Sequence, residues 1–303
     1  VKIMQIVDIQ KPYDYTRTIQ DIQTLLTYYP YGSLEWIGCS VLGKPIPHIL
    51  IGNGERKVHI NASFHANEWI TTNVLLKFVE DYLAALHYDQ ALNGQEARAL
   101  FNQITLSAVP IVNPDGVDLV LKGPAVSEPY ASFLSKIGRD FPDFQSWKAN
   151  IRGVDLNNQF PAYWEIEKKR KEPKAPHYRD FPGYESLSEP EAQAMVKLVE
   201  RHNFDCVIAL HTQGEEFYWG YMNEEPTEAE EIASYFERVS GYKAVKTIDS
   251  HAGFKDWFIL EKKKLGFTLE LGKGINPLPL SQISRVYNPT KAILVAAMEY
   301  LSI

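Results

Sequence analysis

The tetrapeptide His65-Ala-Asn-Glu68 reads H-x-x-E directly after a strand-like run, Val58-His-Ile-Asn-Ala-Ser63. An imidazole and a carboxylate three residues apart, on the turn where a strand enters a helix, can close on one side around a divalent cation. Zinc accepts this mixture of nitrogen and oxygen ligands. A surface histidine followed by a glutamate that favours a helix N-terminus would give the same four letters, so the pair needs companions. Two other apolar runs supply them: Asp205-Cys-Val-Ile-Ala-Leu210 delivers His211, and Leu265-Gly-Phe-Thr-Leu269 delivers Glu270. In open α/β sheets ligands bind beyond the carboxyl ends of parallel strands, so polar groups placed just past three buried strands should converge. His65, Glu68 and His211 are therefore the expected ligands of one Zn2+ per chain, with Glu270 beside them.

The elements that must position these groups alternate along the chain. Residues 14–27 carry Ile19, Ile22, Leu25 and Leu26 at helical spacing and end near Pro30. Residues 34–41 and 46–51 read as strands flanking the Gly43-Lys44 turn. Beyond the metal motif, 69–86 is an amphipathic helix, and 105–112 is a strand closed by the turn sequence Asn113-Pro-Asp-Gly116. Ser188-Glu-Pro-Glu191 opens a helix to His202 with proline in its first turn. Helices over 227–239 and 289–301 complete the set. The pattern predicts an α/β fold with a mixed, mostly parallel central sheet flanked by helices, and no internal repeats. The stretch 122–187, rich in proline and aromatics with few periodic runs, reads as loops draped over an active site within a single catalytic domain, 1–303.

Composition removes several function classes. With 303 residues, 45% hydrophobic, the chain can bury a full core. A formal charge of −7 argues against nucleic acid. Lys168-Lys-Arg-Lys171 is interleaved with Glu165, Glu167 and Glu172 and reads as a solvated charged stretch. Cys39 and Cys206 form no disulfide framework and leave the redox compartment open. No run of eighteen apolar residues marks a membrane span. The opening Val1-Lys-Ile-Met leaves room for a leader or an upstream wall-binding module.

Taken in order, His65-x-x-Glu68, Asn113-Pro-Asp-Gly116, Gly153-Val-Asp-Leu-Asn157, His211 and Thr268-Leu-Glu270 resemble the zinc carboxypeptidase family typified by the pancreatic enzymes. The blocks span about 14–303. Within that family, Ala62 to Ile70, Trp147 to Asn157 and Leu271 to Leu280 look like the bacterial γ-D-glutamyl-meso-diaminopimelate endopeptidases that cut peptidoglycan stem peptides. The resemblance implies the family's α/β/α fold, a zinc peptidase activity, stem peptides or muropeptides as partners, and a cell-wall or spore-envelope setting, with the cytoplasm left open.

The chemistry can be built from the residues. Three protein ligands leave a fourth zinc position for water, whose pKa the metal lowers toward neutrality. Glu270 would take the proton and pass it to the leaving amine. Arg152 matches the family's arginine upstream of the D-x-N block and is the first candidate to hold the developing oxyanion; Lys148 is the second. Asp155 is expected to orient His65 through its second ring nitrogen. One departure is informative: where pancreatic-type carboxypeptidases carry Asn-Arg to grip a C-terminal carboxylate, this chain has Asn157-Asn158. A neutral amide cannot supply that charge, so strict C-terminal trimming is disfavoured. The family's substrate-covering tyrosine is also missing from Ile248 to Trp257, where Asp249, Ser250 and His251 could meet a polar substrate.

Hydrolysis of the γ-D-glutamyl-diaminopimelate bond is thus the leading expectation, and a zinc carboxypeptidase of other specificity the near alternative. A non-catalytic peptide- or glycan-binding module and a purely structural zinc protein are disfavoured, because Glu270 is retained and only three ligands are visible.

Overall fold

The computed structural model describes residues 4–137 and 143–302; residues 138–142, inside the expected loop region 122–187, lie outside the described residues, as do 1–3 and 303. The strands are β1 (Gly32–Cys39), β2 (Pro45–Ile51), β3 (Arg56–Ala62), a small ribbon of β4 (Ala91–Leu92) and β5 (Gln95–Glu96), then β6 (Ile104–Val109), β7 (Cys206–His211), β8 (Glu216–Tyr218), β9 (Lys243–Val245) and β10 (Leu265–Glu270). Among the described residues, all but the ribbon join one sheet in the order β1-β2-β6-β3-β7-β10-β8-β9. The central four, β6, β3, β7 and β10, are mutually parallel. On one flank β2 and β1 run antiparallel; on the other, β8 pairs antiparallel with β10 and parallel with β9.

The helices are α1 (Tyr15–Tyr28), α2 (Ile70–His87), α3 (Ala97–Gln103), α4 (Pro114–Lys122), α5 (Ala131–Ile137), α6 (Trp164–Arg170), α7 (Pro190–His202), α8 (Ala229–Ser240), α9 (Phe254–Lys262) and α10 (Ile283–Leu301). They cover both faces of the sheet, which is why its central strands are buried along most of their length, polar His59, Asn61 and Ser107 included. Every residue of β7 is buried. Cys206, Ile208 and Leu210 pack with Phe267 and the α2 and α10 side, whereas Val207 and Ala209 pack with Leu198 of α7 and Phe258 of α9. Truncating a buried aromatic such as Phe267 to alanine in such a layer costs about 3–5 kcal/mol.

The fold class is the expected mixed α/β one, and two local readings are corrected. Asn113-Pro-Asp-Gly116 is the start of α4 rather than a turn: Asn113 Oδ1 accepts from Gly116 N–H at 3.0 Å and Pro114 opens the first turn. The last helix begins at Ile283 and contains Pro289 in its interior, so the proline does not mark its start. No helix among the described residues is long and apolar enough to cross a membrane.

Candidate active site

The parallel strands end in one place. Glu270 and His211 are register partners at the ends of β10 and β7, and Ala62, the last residue of β3, pairs with Leu210. After β3 the chain turns at Ser63, a non-glycine residue in the left-handed region with φ 54°. That turn is held because Ser63 N–H donates to Thr71 Oγ1 at 3.0 Å and Ser63 Oγ lies 2.7 Å from Thr72 Oγ1. His65 then precedes a single 3-10 turn, Ala66–Glu68, which runs into α2. The capping side chain Asn113 ties this turn to the loop opposite, donating to Phe64 O at 3.2 Å and Ala149 O at 3.0 Å.

His65, Glu68 and His211 are all buried, and their ligand atoms face one point. His65 Nδ1 lies 3.0 Å from Glu68 Oε1, His211 Nδ1 lies 3.0 Å from Glu68 Oε2, and the two Nδ1 atoms are 3.1 Å apart. Ligands about 2.0–2.1 Å from a tetrahedral zinc sit roughly 3.3 Å from one another, so this donor set fits the ion with little adjustment. The carboxylate is aimed by Thr212 N–H at 3.2 Å and Asn276 Nδ2 at 3.4 Å.

Electrostatics agree with a cation at that point. Burial works against a charge on His65, but Glu68 and Asp155 outweigh it and hold the imidazole up to about 9. Burial likewise opposes ionisation of Glu68, yet His65 and His211 hold its carboxyl far below the usual carboxylate range. His211 is pushed down by burial. The Glu68 carboxylate thus stays charged between two ring nitrogens. On the other side of His65, Nε2 lies 3.1 Å from Asp155 Oδ1. Asp155 Oδ2 in turn pairs with Lys148 Nζ at 3.0 Å, and Lys148 also donates to Asp180 at 2.8 Å.

Beside the trio lies a cavity of about 150 Å³ whose wall includes His65, Lys148, Asn157, Asn158 and Glu270. Burial, then the charge of Glu68, raises the Glu270 carboxyl well above its ordinary value. Asn157 Oδ1 accepts from Phe254 N–H at 3.0 Å, which fixes its amide at the mouth of α9.

Two expected site residues are elsewhere. Arg152 does not line the cavity. Its guanidinium turns to Glu189, 3.6 Å away, and to the Tyr130 hydroxyl at 3.4 Å. Lys148 is the cation on the cavity wall. His251 lies in a neighbouring cavity, its Nδ1 2.7 Å from the Tyr221 hydroxyl, and meets the first only through Ile248 and Ser250, which line both.

The cavity wall holds further charged residues. Lys171 lines the cavity although its run reads as solvated charge; it lies 3.5 Å from Glu167 and 3.9 Å from Asp180. Lys255 and Asp256 also line it, paired at 2.8 Å, with Lys255 Nζ donating to Gly220 O at 3.0 Å. The cavity thus carries three ammonium groups, so the neutral pair at 157–158 does not leave it without positive charge. Tyr218 supplies a tyrosine from β8 rather than from the 248–257 stretch. Lys273 is not on the cavity wall and pairs with Glu215 at 3.2 Å.

A buried two-histidine, one-carboxylate centre at the strand ends of a mixed α/β sheet, with a raised carboxyl beside it, defines the class: a zinc-dependent peptidase. Residues 18–293 match the family model described as zinc carboxypeptidase, and the chain belongs to that family. It is 47% identical over 294 residues to gamma-D-glutamyl-L-diamino acid endopeptidase 1 of Lysinibacillus sphaericus, covering 97% of this chain and 74% of that protein. It is 50% identical over 293 residues to the protein YqgT of Bacillus subtilis (strain 168), covering 95% and 78%. The fold is shared with thrombin activatable fibrinolysis inhibitor, at a TM-score of 0.78 and 19% identity, covering 99% of this chain and 78% of that one. Murein-tripeptide amidase MpaA from Escherichia coli O157 also shares it, at a TM-score of 0.52 and 22% identity, covering 87% and 92%.

Proposed function

We propose that the protein hydrolyses the γ-D-glutamyl amide that joins D-glutamate to a diamino acid, meso-diaminopimelate, in peptidoglycan stem peptides. The observation that carries this reading is the Lys255–Asp256 pair. Both side chains are buried, and both line the cavity that holds His65 and Glu270. A buried ion pair adds little net stability, and on the cavity wall this one can meet the charges of a substrate. Diaminopimelate ends in an ammonium and a carboxylate on one carbon, the complement of that pair. The relative named for cleavage at a γ-D-glutamyl-L-diamino acid bond supports the same substrate.

One zinc held by His65, Glu68 and His211 would polarise the amide and lower the pKa of a bound water. Glu270 takes the proton of the attacking water and returns it to the leaving amine; a raised carboxyl suits both transfers. Asp155 accepts from His65 Nε2–H, which leaves the Nδ1 lone pair turned to the metal position. Lys148 replaces Arg152 as the group that steadies the oxyanion. Asn158 gives no bidentate grip on a C-terminal carboxylate, so the bond is chosen by the diamino acid beyond it.

The test is mass spectrometry of products from L-Ala-γ-D-Glu-diaminopimelyl-D-Ala. Release of L-Ala-D-Glu supports the reading. Loss of D-Ala alone would instead make the protein a carboxypeptidase of other specificity.

A further inference from the structure

Two imidazoles and a carboxylate also meet at the far edge of the sheet. Glu35 on the edge strand β1 and His48 on β2 are direct partners across the antiparallel ladder, and His202 is the last residue of α7. His48 Nδ1 is 3.4 Å from Glu35 Oε2, and His202 Nε2 is 3.9 Å from the same oxygen. The cluster sits on the β1–β2 edge of the sheet beside the C-terminus of α7, whereas the catalytic groups come from the ends of β3, β7 and β10.

The two imidazoles present unused nitrogens to one another. His48 is fully buried, and its Nδ1, like His202 Nε2, is sealed from solvent with no hydrogen-bond partner among the described residues. Such atoms are rare in folded proteins and call for an explanation. The rest of each ring is already committed. His48 Nε2 lies 2.7 Å from Ser107 Oγ, which lies 2.8 Å from His59 Nδ1, and His59 Nε2 lies 3.2 Å from the Asn61 amide. When that amide is turned so that its oxygen accepts from His59 Nε2–H, the relay has one polarity. Ser107 donates to His59 and accepts from His48 Nε2–H, and His48 then offers a lone pair at Nδ1. His202 is held by stacking on Phe204, with ring planes 6° apart, and Phe204 stacks in turn on His59.

We infer that Glu35, His48 and His202 form a second divalent-cation site, of zinc or cobalt type, that staples the β1–β2 edge hairpin to the C-terminus of α7. The donor set of two imidazole nitrogens and one carboxylate oxygen is the same as at the catalytic centre, and the ligand atoms lie within 4.8 Å of one another. They are spread wider than the roughly 3.3 Å of a tetrahedral set, and Glu35, with 42% of its side chain exposed, is free to move inward. The hydrogen-bonded relay behind His48 is the kind of support that fixes ring orientation at metal sites. A clamp here would hold the edge strand that the rest of the sheet secures from one side only.

The test is metal titration of the metal-depleted full chain with Co2+, followed by d–d absorbance, with bound Zn2+ counted by mass spectrometry of the digested protein. We expect two equivalents in the wild type and one in each of Glu35→Gln, His202→Gln and the catalytic-centre variant Glu68→Gln. Glu35→Gln and His202→Gln should keep full peptidase activity, and should lose the part of the zinc-dependent rise in Tm that Glu68→Gln retains. One equivalent in the wild type together with none in Glu68→Gln would overturn the inference and leave Glu35 as a plain acceptor for two imidazole N–H groups. A second equivalent that survives both Glu35→Gln and His202→Gln would overturn it too. Neither result bears on stem-peptide cleavage.

Discussion

Replacing Asp155 with asparagine tests how the catalytic metal is held. Asp155 is fully buried, its Oδ1 lies 3.1 Å from His65 Nε2, and its Oδ2 pairs with Lys148 at 3.0 Å. An amide can still accept from His65 through its oxygen, but it carries no charge to strengthen the imidazole as a ligand. Loss of such outer support typically costs about 10–100-fold in metal affinity, or about 1.4–2.7 kcal/mol. Lys148 keeps Asp180 at 2.8 Å, so the fold should survive. We expect the zinc Kd of Asp155→Asn, measured by competition with a chromophoric chelator, to rise by about 10–100-fold while far-ultraviolet circular dichroism is unchanged. Lys148→Met is the control. It should leave zinc affinity intact or tighter, because the whole Asp155 charge then falls on His65, but it should lower kcat through the lost oxyanion cation. A zinc Kd for Asp155→Asn within about twofold of wild type would refute the positioning role.

Three further outcomes are expected. Glu270→Gln should retain zinc while kcat falls by at least about a hundredfold; near-normal turnover would move the base elsewhere. Lys255→Met/Asp256→Asn removes both charges together, so neither is left buried alone, and should cut the preference in kcat/KM for diaminopimelate over lysine stems by about tenfold or more. An unchanged preference would remove the pair from recognition. Glu191 is fully buried near Asp115 and Glu189, and burial first, then those charges, pushes its carboxyl up to about 8. In the folded chain it therefore keeps a proton that the unfolded chain sheds near 4.5, so stability falls as pH rises from there through about 8. Glu191→Gln does not titrate, and its Tm relative to wild type should improve between pH 5 and about 8.5, by the equivalent of a few kcal/mol; a constant difference would show that the group does not titrate in this window.

The metal centre was legible because each buried parallel strand reads as a strand-like run, largely apolar in β7 and β10, and the residue at or just past its end is delivered to one edge. That logic brought His65, His211 and Glu270 together from three distant segments, and the order of the blocks brought the family with them. Side-chain direction was not legible. Arg152 and Lys148 are both cations upstream of Asp155, and only their partners, Glu189 and Tyr130 for the first and Asp155 and the cavity wall for the second, tell them apart. Lys171 was hidden because alternating charge looks the same whether it faces solvent or an acidic wall. Asn113-Pro-Asp-Gly116 carries turn letters and helix-start letters at once, and the packing of α4 against the catalytic turn decides between them. Lys255 and Asp256 sit beside apolar Trp257 and Phe258 in the sequence, and nothing in their spacing reveals that one turn of α9 forms a cavity wall.

The central claim is that this zinc peptidase selects a γ-D-glutamyl-diamino acid bond and not an ordinary C-terminus. The most direct measurement is kcat/KM for L-Ala-γ-D-Glu-diaminopimelate against a hippuryl-type peptide, in the zinc-loaded wild type and in Asn158→Arg. We expect the wild type to favour the stem peptide by at least about a hundredfold, and the arginine variant to gain on the hippuryl peptide by about tenfold or more as its guanidinium grips the free carboxylate. A wild type that prefers the hippuryl peptide would contradict the claim.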